Sequence, residues 1–125
     1  MDKFDAFSND AHNDIVPTDM NFTSEVLAWC ITRLKARYPF LRVGTAGTSI
    51  MGCPIYLLKI GNGHNEVFYN ASHHANEWIT SLLLMRFLES YAKNCAFGGK
   101  MFDINAQSLY SKTTLTMIPM VNPDG

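Results

Sequence analysis

The sequence predicts an α/β sandwich built on a mixed sheet, and two observations support that fold class. Apolar residues recur at helical spacing in two separate segments. Short runs rich in apolar and β-branched residues, separated by glycine, lie between these segments and after the second one. Helices that alternate with strands in this order must cover a sheet to bury their apolar faces.

The first predicted helix begins near Thr23 and ends before Pro39. Either Thr23 or Ser24 can cap its first turn, because a hydroxyl oxygen accepts a hydrogen bond from a free backbone N–H. Basic residues near its end suit the helix dipole, and proline cannot continue the helix. Its apolar stripe consists of Val26, Leu27, Cys30, Ile31 and Leu34.

Residues 1–21, ahead of this helix, are polar and acidic and contain few periodic apolar side chains. Such a segment gains little from burial. We therefore expect a loosely held polar leader without regular structure, followed by a single folded domain over residues 22–125.

Three strands are predicted next, at residues 41–45, 55–60 and 67–71. The first two are expected to pair antiparallel. Gly61-Asn62-Gly63 is short enough to join the second and third as a hairpin, because glycine and asparagine accept the positive φ that such turns require.

A second helix is predicted over residues 77–93, and its apolar residues cover more than one face, which predicts deep packing. The sequence Phe97-Gly98-Gly99 is expected to end it. A polar connection then leads to residues 115–121, a mainly apolar run that is typical of a buried central strand.

Composition narrows the possible functions. A formal net charge of −1 and the lack of a long basic run argue against nucleic acid and anionic membranes as partners. The odd number of widely spaced cysteines, three in all, forms neither a C-x-x-C site nor an obvious disulfide framework, which suits a reducing compartment. The N-terminus lacks the features of a secretory signal, so we expect a cytoplasmic protein.

The candidate metal-ligating side chains lie in the segment Ser72-His73-His74-Ala75-Asn76-Glu77-Trp78, where a predicted strand passes into a helix. His74 and Glu77 are three residues apart and can meet on one side of a helical turn, as two ligands of a zinc ion. His73 and Glu77, four apart, can share a face too, so spacing leaves both pairings open. Solvent-facing histidines beside a glutamate that the helix dipole favours would show the same pattern.

A second motif, Asn122-Pro123-Asp124-Gly125, is typical of a turn. In this order, His74-Ala75-Asn76-Glu77-Trp78 and the downstream turn resemble the H-x-x-E-W and N-P-D-G motifs of the carboxypeptidase A-like zinc metallopeptidases. The resemblance extends over residues 23–125. It implies the carboxypeptidase-like sandwich, one Zn²⁺ ion with His74 and Glu77 as metal ligands, and a turn that shapes the cleft wall. His12 and His64 lie in polar segments and are expected to be solvated.

Asn76 stands where the family motif commonly has an arginine that helps to bind substrate. With its flanking residues, this variant is similar to bacterial γ-D-glutamyl-L-diamino-acid endopeptidases. That resemblance implies a peptide partner, the peptidoglycan stem peptide, cleaved at the bond between γ-D-glutamate and diaminopimelate.

The family's second zinc histidine, substrate-binding arginines, capping tyrosine and general-base glutamate follow the N-P-D-G turn, where this sequence stops. The resemblance therefore implies that residues 22–125 are the N-terminal part of a catalytic domain, without turnover of their own. We also expect self-association through an uncovered edge of the strand at residues 115–121.

Two alternatives accompany the peptidase hypothesis. An aspartoacylase-like zinc deacylase shares H-x-x-E, although Trp78-Ile79-Thr80 and the downstream turn argue against it. A non-catalytic α/β remnant that acts as a binding module would explain the absent site residues.

Overall fold

The structure is a computed structural model that describes residues 14–74 and 77–124. Helices and strands follow one another in nearly the predicted order, and the sheet is mixed. The helices are α1 (Ser24–Arg37), α2 (Trp78–Phe97) and α3 (Ala106–Lys112). The strands are β1 (Arg42–Thr48), β2 (Pro54–Ile60), β3 (Asn65–Asn70), β4 (Lys100–Met101), β5 (Ile104–Asn105) and β6 (Thr113–Ile118).

Helix α1 confirms the predicted first helix. Of the two candidate caps, Thr23 is used: its Oγ1 accepts from the Val26 N–H at 3.2 Å. At the other end, Lys35 Nζ donates to the carbonyls of Pro39 and Leu41 at 2.7 and 2.5 Å, which holds the last turn of α1 against the chain that follows it. The predicted apolar stripe is buried at Leu27, Cys30, Ile31 and Leu34.

The main sheet has the order β1-β2-β6-β3. Strands β1 and β2 pair antiparallel, as predicted, with a register shift between Thr45 and Gly47. Strand β6 pairs antiparallel with β2 and parallel with β3, so it is central, as predicted for residues 115–121. Leu58, Ile60, Leu115 and Met117 bury one sheet face in a core that α1 and α2 share.

The predicted hairpin between the second and third strands is wrong, because β6 lies between β2 and β3. The glycines serve a close backbone approach instead of a tight turn. A Cβ added at Gly61 would lie 2.0 Å from the Thr113 carbonyl oxygen, and one at Gly63 would lie 1.8 Å from the Lys112 carbonyl carbon. The connection thus passes the start of β6 at a distance that only glycine permits.

The predicted uncovered edge on the strand at residues 115–121 is also wrong, since β6 has a neighbour on both sides. Within the described residues the edge strands of this sheet are β1 and β3. Strand β3 exposes Val67, Phe68 and Tyr69, by 37%, 52% and 46%. Self-association stays a prediction, now placed at β3, and sedimentation tests it.

Helix α2 confirms the second predicted helix and continues to Phe97, where Gly98 takes a left-handed φ of 75° and ends it. It is buried along much of its length, including Met85, Leu88 and Ala92. Ile79 and Leu83 differ from the predicted deep packing, because they are 58% and 69% exposed. The described elements cover one side of α2 near its start and leave the other open. No described helix has the length and apolar character needed to cross a membrane.

The segment predicted as a polar connection contains helix α3 and the small β4–β5 pair. Asn105 caps α3 by accepting from the Ser108 N–H at 2.9 Å. The helix is short and buries Ala106, so its sequence carries little apolar periodicity, which explains why the pattern did not reveal it.

The prediction of a loosely held leader is wrong at Ile15 and Val16, each only 2% exposed. Their backbone N–H groups donate to the Glu89 carboxylate at 2.5 and 3.0 Å. Arg86 Nη1 lies 3.0 Å from Asp14 Oδ2 and 3.5 Å from Glu89 Oε1. A buried carboxylate on α2 therefore holds residues 14–16 against the core. Residues 1–13 lie outside the described residues, and the domain boundary at 21/22 stays a prediction.

Replacing Glu89 with alanine is expected to lower the free energy of unfolding by about 2–4 kcal/mol, because two buried N–H donors lose their acceptor. Denaturant unfolding measures the change. The matched control is Glu66→Ala on exposed β3, where we expect a change within about 0.5 kcal/mol. Equal losses in the two variants would contradict a special role for Glu89.

The pH dependence of the free energy of unfolding provides a second measurement of the role of Glu89. Burial raises the pKa of the Glu89 carboxyl, and the N–H donors of Ile15 and Val16 oppose that rise. Between the ordinary and the raised pKa the folded state binds more protons than the unfolded state. Stability should therefore fall as pH rises through this window and level off above it, and Glu89→Gln should remove that slope.

Candidate metal centre

The candidate site lies in the connection between β3 and α2, as the sequence predicts. Backbone bonds hold this connection against the segment that follows β6: the Ala71 N–H donates to the Ile118 carbonyl at 3.1 Å, and the Asn122 N–H donates to the Ser72 carbonyl at 2.9 Å. Because β3 and β6 are parallel, their carboxyl ends meet at one edge of the sheet. The two motifs, distant in sequence, are therefore neighbours.

The structure brings His74 and Glu77 together. His74 Nδ1 lies 2.8 Å from Glu77 Oε1, and the His74 backbone N–H donates to the same oxygen at 2.9 Å. Both side chains are accessible, with exposed fractions of 82% and 43%. The His74 backbone N–H first, and then its imidazole, lower the pKa of the Glu77 carboxyl, which favours the ionised form that ligates metals.

His73 points elsewhere. Its Nε2 lies 2.6 Å from Asn70 Oδ1 at the end of β3. Of the two pairings that spacing left open, the structure contains the one between His74 and Glu77, whereas His73 contacts the strand that it follows. Ala75 and Asn76, between His74 and Glu77, lie outside the described residues.

The two donor atoms fit a shared zinc ion. Ligands of a tetrahedral zinc with bonds of about 2.1 Å are roughly 3.4 Å apart, so Nδ1 and Oε1 need to separate by only about half an ångström. No group of three metal-ligating side chains occurs among residues 14–74 and 77–124. The described part of the chain therefore supplies two ligands of such a site, and a histidine with Nδ1 unprotonated is required.

The downstream turn is anchored to the loop between β1 and β2. Asp124 Oδ1 accepts from the Ser49 hydroxyl at 2.5 Å, and Oδ2 accepts from the Met51 N–H at 3.2 Å. The Ser49 bond is the main cause of the lowered pKa of Asp124. The Asp124 N–H donates to Asn122 Oδ1 at 3.3 Å, as in an Asx turn. This confirms a turn over the described residues, while Gly125 lies outside them.

Asn122 and Pro123 line a small crevice together with Ser72 and Trp78, the residues that flank the histidine pair and the glutamate in the sequence. The role of the turn in shaping the cleft wall stays a prediction. The sequence did not indicate the contact between Ser49 and Asp124, because the two residues are 75 positions apart.

The remaining candidate side chains lie elsewhere. His64 is exposed in the loop before β3, as predicted, and His12 lies outside the described residues. Cys30, Cys53 and Cys95 are free thiols. Burial raises the pKa of Cys30 to about 12 and that of Cys95 to about 11, so neither supplies a thiolate near neutral pH.

Comparison with known proteins gives consistent matches. A family model described as zinc carboxypeptidase, peptidase M14, matches residues 27–125. The chain is 38% identical over 111 residues to γ-D-glutamyl-L-diamino acid endopeptidase 1 of Lysinibacillus sphaericus, covering 89% of this chain and 28% of that protein. It is 33% identical over 82 residues to carboxypeptidase B of Bos taurus, covering 63% of this chain and 18% of that protein.

Solved structures share the fold. The crystal structure of thrombin-activatable fibrinolysis inhibitor aligns with a TM-score of 0.73 at 19% identity, over 97% of this chain and 31% of that one. A metallo-carboxypeptidase from Burkholderia cenocepacia aligns with a TM-score of 0.69 at 22% identity, over 82% and 27%. These alignments confirm the α/β fold with a mixed sheet. The chain spans less than a third of the length of each of these proteins.

Proposed function

The chain belongs to the zinc carboxypeptidase family, and from that premise we propose that it forms the N-terminal part of a zinc metallopeptidase that cleaves γ-D-glutamyl-diaminopimelate bonds in peptidoglycan stem peptides. The observation that carries the proposal is the contact between His74 and Glu77, with donor atoms 2.8 Å apart at the carboxyl end of β3. Family membership implies zinc and a peptide substrate.

In the proposed site, His74 and Glu77 hold the metal and do not move protons. A bound zinc ion supplies Lewis acidity that polarises the scissile carbonyl and makes water a better nucleophile. Glu77 is suited to its role because its lowered pKa keeps it ionised, and because both ligand side chains reach solvent where a substrate can approach. A third protein ligand and a general base are needed for efficient turnover. We therefore propose that residues 1–125 alone do not turn over substrate.

The substrate assignment rests on the relative from Lysinibacillus sphaericus, which is named for that bond and matches 89% of this chain. The Asn76 variant of the metal motif supports the same branch, since the resemblance places a substrate-binding arginine there in other members. The identity to carboxypeptidase B is lower and covers less of the chain.

The peptidase names of these relatives favour the proposal over the aspartoacylase-like deacylase. The alternative of a non-catalytic binding module makes a different prediction. It expects a natural stop in the DNA beyond the codon for residue 125, whereas the peptidase proposal expects an open frame there. A cytoplasmic location and the absence of nucleic-acid and membrane partners stay predictions.

Zinc binding is the first test. We expect Zn²⁺ to bind this chain weakly, since coordination is incomplete, and we expect His74→Ala and Glu77→Ala each to weaken it by about tenfold or more. Isothermal titration with Zn²⁺ alone measures the dissociation constants. His73→Ala is the matched control, because this neighbouring histidine contacts Asn70 and should leave affinity unchanged. Equal affinity in the wild type and the His74 and Glu77 variants would remove these residues from the site.

Substrate preference is the second test, and it uses a protein extended beyond residue 125 beside the chain as it stands. The extended protein should release diaminopimelate-containing product from L-Ala-γ-D-Glu-diaminopimelate in a zinc-dependent reaction, and should act poorly on a hippuryl substrate. Residues 1–125 should act on neither. Preference for the hippuryl substrate would contradict the peptidoglycan assignment, and turnover by the short chain would show that its own residues complete the site.

A further inference from the structure

Three hydroxyl side chains lie beside the candidate metal centre and bond to one another or to the backbone near it. Ser72, just ahead of the histidine pair, is 4% exposed, and Ser81 on α2 is fully buried. Thr80 lies on the first turn of α2. We propose that these residues are positioning residues that hold the spacing between His74 and Glu77 before a metal binds. The proposal rests on the proposed function, in which those two residues ligate zinc.

The backbone of Ser72 shows that its place is held by its surroundings. Its φ is 56°, in the left-handed region that residues with a side chain rarely adopt. Its N–H donates to Thr80 Oγ1 at 3.1 Å, and its carbonyl accepts from the Asn122 N–H at 2.9 Å. Both backbone polar groups are therefore satisfied in a conformation that the chain would otherwise disfavour.

The hydroxyl protons define a connected network. Ser81 Oγ donates to the Pro119 carbonyl at 2.5 Å, so its proton is committed and its lone pairs face Ser72. The Ser72 hydroxyl lies 2.5 Å from Ser81 Oγ and 2.9 Å from the Glu77 carbonyl, and so it donates between these two acceptors. The network thus joins the metal-ligand segment to the chain that follows β6.

Glu77 shows why such a network matters. It is the N-cap of α2, yet its side chain makes no capping hydrogen bond because the carboxylate contacts His74. Its carbonyl is held from the opposite side, by Thr80 Oγ1 at 2.7 Å and by Ser72 Oγ. The hydroxyls thus fix the backbone of Glu77 while its carboxylate stays available.

Ser72 and Glu77 stand on either side of His74 in the sequence, and both are held by the same group of hydroxyls. Contacts outside the metal therefore fix both ends of the segment that carries the two ligands. Partners that orient ligands in this way typically contribute 10–100-fold to metal affinity. The hydroxyl bonds described for these residues go to one another and to the backbone of Ser72, Glu77 and Pro119, so the hydroxyls act through the two ligands.

Thr80 allows a test that leaves the fold intact, because its side chain is exposed on the first turn of a long helix. Thr80→Val keeps the shape and removes the hydroxyl, whereas Thr80→Ser keeps the hydroxyl. We expect Thr80→Val and Ser72→Ala to weaken Zn²⁺ binding about tenfold and Thr80→Ser to restore it. Thr32→Val is the matched control, since its Oγ1 bonds only the Ala28 carbonyl on α1 among the contacts described for it.

Isothermal titration with Zn²⁺ alone gives the affinities, and the imidazole ¹⁵N resonances of His74 in the metal-free chain give a second measurement. These resonances should move in Thr80→Val and stay in Thr80→Ser, because the His74–Glu77 contact loosens only when the hydroxyl is lost. Melting temperatures show whether each variant folds. If the variant of the buried residue, Ser72→Ala, fails to fold, the comparison of Thr80→Val with Thr80→Ser decides the outcome.

The results separate the two proposals. If His74→Ala weakens binding while Thr80→Val and Ser72→Ala bind as the wild type does, the hydroxyls do not position the ligands and the metal assignment stands. If His74→Ala binds as tightly as the wild type, both proposals are wrong. Weakened binding in Thr80→Val with recovery in Thr80→Ser supports the positioning role.

Discussion

The parallel pairing of β3 with β6 is the constraint on which the candidate site depends. Parallel neighbours bring their carboxyl ends to the same edge of the sheet. At that edge Ala71 bonds both Ile118 and Val121, so the backbone continues the ladder beyond the strands themselves. The segment that carries His74 and Glu77 and the Asn122-Pro123-Asp124 turn meet there because the strands before them run side by side.

This pairing explains several features that look unrelated in the sequence. Glycines 61 and 63 are needed where the chain passes close to the start of β6, and they do not form a turn. Ser81 reaches the Pro119 carbonyl because α2 begins where β6 ends. Asp124 reaches Ser49 because β1 and β2 lie on the same sheet, across β6 from β3. Each contact depends on the order of strands, which sets the distances between segments far apart in the chain.

The carboxyl groups of Glu77 and Glu89 differ in burial, and their pKa values are shifted in opposite directions. Glu77 is exposed and has a lowered pKa because N–H and imidazole groups face it, so it is ionised and accessible. Glu89, twelve residues further along the same helix, is buried and has a raised pKa, and it accepts two backbone N–H bonds from residues 15 and 16. One carboxylate is available to a ligand, while the other organises the chain ahead of α1.

The sequence by itself determined α1 and α2, the mixed α/β class and the spacing of the H-x-x-E motif, because these depend on local patterns. Apolar residues of α1 and α2 repeat with the period of a helix, and His74 and Glu77 are close enough in sequence for one turn to bring them together. Only the tertiary structure decided the strand order, the place of β3 at an edge of the sheet among the described residues, and the burial of Ile15 and Val16. It also showed the contact of His74 with Glu77, which residue spacing had left open against His73. Strand order and buried polar contacts join residues tens of positions apart, and local periodicity carries no information about which distant segments pair.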